Sequence, residues 1–245
     1  KDEFNQITRQ SARKSEEILY RDLPEVPVNF VSENYNPEKK KYYSEFIRED
    51  KTKCVLKLES SINLNPGDCL KVKIQENQNK QYVLWWNKRT GEKWDIVDLQ
   101  TAVIVHTNHI KGFLLASFSK DDTTIMHYNR FPSIKELKVG DMLNVRVMKT
   151  DQDKFNTIDY STEVENDLPD FINHFEGKFS FADGKNYGFV DCEFGNVFIS
   201  PKFTKQLTDG QILKGLAIYQ QKSNRLSYGW KAVRIDGKSN FNFLK

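Results

Sequence analysis

The chain of 245 residues contains no long uninterrupted apolar segment. A membrane-spanning helix needs about 20 consecutive apolar residues, and no run in the sequence approaches that length. The first residues, Lys1–Arg13, also lack the apolar core of a secretory signal. We therefore expect a cytoplasmic protein with no membrane partner. The sequence does not begin with methionine, and we expect it to be a processed chain or part of a longer one.

Cysteine is scarce, because only Cys54, Cys69 and Cys192 occur in the chain. This odd, widely spaced set predicts reduced cysteines of an intracellular protein and not a disulfide framework. A metal site would need a tighter cluster of ligands. His106 and His109 do not supply one, since residues three apart on a strand face opposite sides of the sheet. We expect no metal and no other cofactor.

Motifs that mark catalytic sites are also missing. The sequence contains no glycine-rich phosphate loop, no nucleophile elbow and no Cys–His pair at motif spacing. Its Asp and Glu residues are scattered and lie mostly in apparent turns, as solvated surface carboxylates do. We therefore expect no enzymatic activity and no catalytic residues. The alternative, a metal-dependent nuclease or hydrolase, would require turnover that depends on divalent ions.

Charge is nearly balanced overall but uneven along the chain. The formal net charge is +3. From residue 171 to the end, 11 basic residues stand against 6 acidic residues, and the preceding 170 residues carry a net charge of −2. This basic carboxyl-terminal segment favours a polyanionic partner, although an excess of this size also arises by ordinary scatter.

A glycine-centred turn recurs three times, at Gly67, Gly140 and Gly210. The glycines are 73 and 70 residues apart, and an alternating apolar–polar run follows each one. Glycine gives such a turn its backbone freedom, and the alternation predicts a strand. A repeat of about 70 residues matches one small five-stranded barrel. The sequence therefore predicts three consecutive barrels.

This repeat leads to a predicted domain organisation. We predict an N-terminal helical or irregular segment over residues 1–23 and a first barrel over residues 24–98. A second barrel is predicted over residues 99–162, an acidic linker over 163–173 and a third barrel over 174–238.

Individual elements are also predicted from local patterns. The first segment contains a plausible helix, Ser11–Tyr20. Alternation predicts strands at Lys53–Leu58 in the first repeat and Thr123–Tyr128 in the second. A short helical or irregular crossing is expected over Pro132–Leu137.

The densest aromatic pattern of the chain lies in residues 177–200. Three apparent strands there carry rings, and Tyr187 and Phe189 are expected to share one face. Phe179 is predicted to face away from Phe181 and into the core. Rings beside cationic side chains form the kind of surface that unstacked nucleobases bind.

Two stretches of this segment resemble the cold-shock domain. Lys185–Val190 is similar to the family's Lys-Gly-Phe-Gly-Phe-Ile motif, and Val197–Ser200 is similar to Val-Phe-Val-His. The resemblance is clearest over residues 177–235. It implies an all-β fold of three tandem OB-type barrels, of which the second and third are cold-shock-like.

The resemblance also implies a function and a set of site residues. The third barrel would bind single-stranded nucleic acid, RNA in preference to DNA, with little sequence preference. Stacking rings are expected at Phe181, Tyr187, Phe189 and Phe198. Phosphate contacts are expected from Lys178, Lys185, Lys202 and Arg225. Ser200 takes the family's histidine position and Asn186 a glycine position, which implies weaker binding or a different number of bases. The alternative is that some of these rings belong to the core.

The second repeat resembles the same family more weakly. Lys111–Phe113 begins like the first motif, but Leu114 and Leu115 replace the glycine and phenylalanine that would follow. Ile125–Tyr128 is similar to the second motif, with His127 in the histidine position. We therefore predict a degenerate face on which His127 contributes a polar stacking ring to nucleic-acid binding.

Partners beyond nucleic acid are suggested by two observations. Tandem cold-shock barrels resemble the amino-terminal binding portion of exoribonucleases of the RNase II type, which implies a larger polypeptide or nuclease complex. OB barrels also bind peptides and oligosaccharides, so a protein-interaction or scaffolding module is the alternative. Of the adjacent Trp85 and Trp86, one is expected inside the first barrel. The other would seat a neighbouring barrel or, alternatively, stack on a base.

Overall fold

The computed structural model describes residues 20–77, 80–150, 152, 154–164, 168–221 and 227–239. The predicted helix Ser11–Tyr20 lies outside the described residues except for Tyr20, which is in a turn. Residues 165–167 of the predicted acidic linker also lie outside them. Within the described part of the chain, no helix is long and apolar enough to cross a membrane.

The described residues form an all-β fold. The first barrel contains β1 (Glu25–Asn36), β2 (Lys41–Ile47), β3 (Lys53–Leu58), β4 (Cys69–Asn77) and β5 (Lys80–Lys88). The second contains β6 (Gln100–Asn108), β7 (Phe113–Ser117), β8 (Thr123–His127), a 3₁₀ helix (Pro132–Glu136), β9 (Met142–Lys149) and β10 (Phe155–Ser161). The third contains β11 (Ile172–Phe181), β12 (Gly188–Cys192), β13 (Gly195–Ile199), α1 (Pro201–Thr204), β14 (Ile212–Gln221) and β15 (Tyr228–Ser239).

All three barrels share one topology. In each, the strands follow the order first, second, third, fifth, fourth, and the fourth returns to the first to close the barrel. The third and fifth strands pair in parallel, as between β13 and β15. A closed barrel of five strands in this order is an OB-type fold. The prediction of three tandem OB-type barrels is confirmed.

The recurrent glycine turns have the same role in every barrel. Their φ angles are +89°, +93° and +84°, which an L side chain adopts only with strain. Each glycine donates its N–H to a carbonyl on the first strand of its own barrel at 2.8 Å. The three pairs are Gly67–Phe30, Gly140–Ile104 and Gly210–Phe179. The repeat in the sequence therefore marks the point at which the first and fourth strands meet.

The chain divides into two compact units. One contains the first barrel together with Arg146–Lys154, and the other contains the rest of the second barrel and the third barrel. In the latter unit an apolar cluster joins the two barrels, because Val103 packs with Ile172 and Leu216. Arg234 also donates from Nη1 to the carbonyl of Gly140 at 2.8 Å.

The structure also shows the state of the cysteines and the surroundings of the two adjacent tryptophans. All three cysteines are free thiols, and burial raises the pKa of the Cys54 thiol to about 12. In the first barrel Trp86 packs against the core, as one of the two rings was expected to do. The ammonium of the buried Lys73 lies 5.7 Å from the ring centroid of Trp85.

Candidate nucleic-acid interface

Three of the predicted rings form one cluster on the third barrel. Phe189 on β12 and Phe198 on β13 are directly paired across the two strands, and their ring centroids lie 5.9 Å apart. Tyr187 precedes β12 and lies 5.5 Å from Phe198 and 6.1 Å from Phe189. We call Tyr187, Phe189 and Phe198 the ring cluster.

The ring cluster lies on the outside of the barrel. Phe189 is 40% exposed, and Tyr187 and Phe198 are half-buried. The neighbours of Phe189 and Phe198 along the same strands are buried instead, and Val190 and Val197 have no exposed surface. Strand alternation explains this division, because successive side chains point to opposite faces. The alternative that these rings fill the core does not apply to them.

Gly188 separates Tyr187 from Phe189 and is fixed by the core. A Cβ atom at this position would lie 2.2 Å from the carbonyl oxygen of Ser180 and 2.5 Å from Cε2 of Phe179. Phe179 is fully buried, so its ring occupies the space that a side chain at 188 would need. The glycine of the motif therefore serves packing, while the residues on either side face outward.

Phe181 is exposed, but not for the reason that the sequence suggested. Phe179 is buried and Phe181 is 36% exposed, as predicted. Residues two apart on a strand share a face, however, so the expectation that they point in opposite directions was wrong. Their rings contact edge to face with centroids 4.8 Å apart. Phe181 is exposed because it is the last residue of β11, where the strand leaves the barrel.

Lys231 lies beside the ring cluster, and the charge of Lys231 reaches Lys202 on α1. Lys231 on β15 pairs with Phe198 in the parallel register. Lys202 is exposed on α1, and its ammonium lies 4.4 Å from the ring centroid of Phe203. Burial lowers the pKa of Lys202 below its ordinary value, and the positive charge of Lys231 lowers this pKa further. Two cations thus stand near one another, and Lys231 is the one beside the rings.

Sequence reasoning identified Lys202 but missed Lys231. The parallel pairing of β13 with β15 brings Lys231 to Phe198, and no local pattern in the sequence reveals that pairing. The only available signal was the family topology, in which the third and fifth strands are neighbours.

The remaining predicted cations have different positions. Lys178 is exposed on β11 and pairs in register with Asp191, so a carboxylate lies beside it. Lys185 is exposed in the turn before Tyr187, and its N–H donates to the carbonyl of Ala182 at 2.9 Å. Arg225 lies outside the described residues.

Ser200 is placed at the end of β13, next to α1. Its hydroxyl oxygen is buried and has no hydrogen-bond partner among the described residues. Thr204 donates from its hydroxyl to the carbonyl of Asn186 at 2.6 Å, which fixes α1 against the loop that precedes the ring cluster. That Ser200 in the family's histidine position weakens binding stays a prediction.

His127 belongs to a separate group of rings on the second barrel. It is exposed at the end of β8, and its ring centroid lies 6.3 Å from that of Phe113 on β7. His106 lies 6.2 Å from the other side of Phe113. The structure therefore groups His127 with these residues and not with the ring cluster of the third barrel.

Two comparisons with known proteins find similarity, one over the third barrel and one over most of the chain. Residues 173–235 match the family described as S1/CSD-like domain 2 of the TOTE conflict systems. The resemblance to the cold-shock and OB-fold family is confirmed. Among solved structures, the Drosophila Unr fragment CSD456 is similar, with 10% identity over 90% of this chain and 99% of that chain and a TM-score of 0.29. No curated protein matches the chain.

Proposed function

We propose that the third barrel binds single-stranded nucleic acid, RNA in preference to DNA, on the face that carries the ring cluster. The observation that carries the proposal is the position of Phe189 and Phe198. They contact each other on the outer surface, while the barrel core is filled by other side chains. The S1/CSD-like match over this barrel supports the same class of ligand, because OB and cold-shock barrels are modules that bind oligonucleotides.

The proposed mechanism combines stacking with electrostatic attraction. Unpaired bases would stack on Tyr187, Phe189 and Phe198, with Phe181 as a further ring at the end of β11. Each stacked base contributes roughly 1–3 kcal/mol as judged by alanine substitution. Lys202 and Lys231 would attract the phosphates at the edge of the rings. Because every base has a flat apolar face, this mechanism predicts little sequence preference.

We further propose that the chain acts by binding and not by catalysis, as one part of a larger assembly. The matched family is described as one numbered domain of a larger system, which supports this role. Among the described residues, no group of three or more potential metal ligands is present.

Fluorescence anisotropy tests the proposal. The full chain is titrated against labelled single-stranded RNA, single-stranded DNA and duplex at two salt concentrations. We expect affinity for the single strands on the order of micromolar and stronger than for duplex. The log–log salt slope should be about −0.7 for each phosphate neutralised. No binding, or a preference for duplex, would contradict the proposal. A nearly flat salt dependence would instead favour the protein-interaction module.

A further inference from the structure

A second surface with rings and cations lies on the first barrel, at the hairpin formed by β1 and β2. Its end pairs Asn34–Asn36 of β1 with Lys41–Tyr43 of β2. Tyr35 is 52% exposed, the largest exposed fraction of any aromatic residue among those the structure describes. Its ring centroid lies 4.9 Å from that of its cross-strand partner Tyr42. The hairpin therefore presents a flat apolar ring to solvent on a paired and supported strand.

Three consecutive lysines follow Tyr35 in the turn of the same hairpin. Lys39, Lys40 and Lys41 are exposed, and within the described part of the chain none of them forms an ion pair. The turn is ordered by the side chain of Asn36, whose Oδ1 accepts a hydrogen bond from the N–H of Lys39 at 3.0 Å. This hydrogen bond orders the backbone of the turn, so the three lysines leave the hairpin within six residues of Tyr35. Lys41 is adjacent to Tyr42 on β2 and points to the face opposite the two rings.

Nearby carboxylates offset only part of this charge. Glu33 accepts hydrogen bonds from the Ser44 hydroxyl at 2.9 Å and from the N–H of Ile62 at 3.2 Å. Glu45 pairs with the ammonium of Lys53 at 3.6 Å. Within the turn itself, Glu38 stands against the three lysines, so the tip remains positive.

We propose that this hairpin tip, Tyr35 with Lys39–Lys41, is a second contact site for single-stranded nucleic acid. Tyr35 stacks on one unpaired base, and the lysines contact the flanking phosphates. An acidic peptide would need the lysines but not an exposed ring, so the combination favours an oligonucleotide. The inference rests on the proposed function for its class of ligand, but it uses different residues on a different barrel.

Crosslinking and salt dependence test the site in the full chain. The probe is a single-stranded RNA of about 12 nucleotides that contains 4-thiouridine, a length within the range that OB folds occupy. The variants are Tyr35→Ala and the triple change of Lys39, Lys40 and Lys41 to Gln. The matched control changes Lys57, Lys88 and Lys93 to Gln, which removes equal charge from exposed positions elsewhere on the first barrel. Circular dichroism verifies that each variant is folded.

We expect wild-type crosslinks on the peptides that contain Tyr35 or Tyr42. The triple Lys→Gln variant should reduce the magnitude of the salt slope by about 2, from three phosphate contacts at about 0.7 each. Tyr35→Ala should weaken binding about fivefold or more, consistent with one lost stack. The control variant should retain the wild-type slope.

The outcomes separate this inference from the proposed function. Crosslinks confined to the third barrel, with wild-type slopes for the hairpin variants, would overturn the inference and leave the proposed function intact. The Phe189→Ala, Phe198→Ala double variant gives a further outcome. Unchanged RNA affinity in this variant, together with hairpin crosslinks that persist, would support the inference and contradict the proposed function. Equal competition by polyglutamate and by RNA would show a general polyanion site and overturn base stacking. Absence of any RNA binding would overturn both.

Discussion

The first and third barrels have the same strand topology, but different side chains occupy their corresponding outward-facing positions. In the third, the central outer pair on the second and third strands is Phe189 and Phe198. In the first, the register places Glu45 and Val55 at the corresponding pair. In both pairs each residue lies between two buried residues of its strand, so both pairs face outward at corresponding positions of the barrel. The two outward rings are thus replaced by a valine and by a carboxylate that pairs with Lys53.

This difference shows which parts of the repeat are set by folding and which are free to change. The turn hydrogen bonds of Gly67 and Gly210 have the same length, 2.8 Å. Most inward positions are apolar in both barrels, and Asn29 and Ser44 are buried polar residues of the first. The outer positions contribute little to closure of the barrel and therefore vary. Fold alone does not give function, which depends on residues placed on a common frame.

The second barrel is intermediate between the other two. Its corresponding outer pair is Leu115 and Ile125, which is apolar but has no ring. Rings remain next to this pair, where Phe113 contacts His106 and His127. The predicted degeneration of this face thus applies to its central pair, while aromatic side chains persist at its edge.

The largest expected effect comes from Gly188→Ala, which tests whether packing restricts the inward-facing positions of the third barrel. The added Cβ would lie far inside contact distance of Ser180 and Phe179, and overpacking of this kind costs about 3 kcal/mol or more when backbone must move. Ser44, at the corresponding position of the first barrel, carries a side chain and donates a hydrogen bond to Glu33. We expect loss of third-barrel stability in chemical denaturation and loss of RNA binding.

The control for this change is Gly184→Ala. No atom lies within 4 Å of a Cβ at Gly184, although its φ of +64° makes the substitution mildly strained. A smaller loss of stability is therefore expected. Gly188 is not in the left-handed region, so equal effects of the two substitutions would show that the close contacts with Ser180 and Phe179 are relieved at little cost.

The next effect tests the rings directly. Phe189→Ala combined with Phe198→Ala should lower affinity for single-stranded RNA at least tenfold, because two stacking surfaces are lost. The fold should persist, since both side chains point outward. The matched change in the first barrel, Glu45→Ala with Val55→Ala, should not weaken binding. Anisotropy titrations compare the variants, and unchanged affinity of the Phe189 and Phe198 variant would remove the third-barrel face from the mechanism.

Local patterns in the sequence predicted much of the fold. Alternation predicted a strand at Lys53–Leu58, and the observed strand has the same bounds. The strand predicted at Thr123–Tyr128 is observed over Thr123–His127. The glycine turns predicted three barrels because a positive φ at a sharp turn restricts the residue type. Such features depend on near neighbours in the chain, and the sequence records them directly.

The candidate site was predicted less completely because its geometry depends on distant pairings. The outward direction of Phe189 follows from strand alternation. The position of Lys231 beside Phe198 depends on a parallel pairing between strands far apart in the chain. The exposure of Phe181 depends on where β11 ends, and boundaries are the least certain part of a pattern.

Adding two phenylalanines to the first barrel tests the same comparison in the opposite direction. The effect on RNA affinity should be smaller. Glu45→Phe with Val55→Phe would recreate the outer pair of the third barrel. It removes the pairing of Glu45 with Lys53, a partly exposed interaction worth about 1 kcal/mol or less. We expect a gain in affinity for single-stranded RNA of about fivefold, from one additional stack. Glu45→Gln with Val55→Leu removes the charge without adding rings, and an equal gain from it would assign the effect to electrostatics.

The smallest expected effect concerns the cations beside the rings. Burial and the charge of Lys231 both lower the pKa of Lys202, so Lys202 loses its proton at a lower pH than a lysine with the ordinary value. Its attraction for phosphate is therefore lost at a lower pH than that of an ordinary lysine. Lys231→Met removes one of the two causes, and the pKa of Lys202 should rise in a ¹³C NMR titration. The same variant should reduce the magnitude of the salt slope at neutral pH by about 0.7, because one phosphate contact is lost.

A reduced slope with an unchanged pKa would show that Lys231 contacts phosphate without influencing Lys202. An unchanged slope would show that the charge beside Phe198 has no part in binding, which would leave stacking alone to distinguish the third barrel from the first.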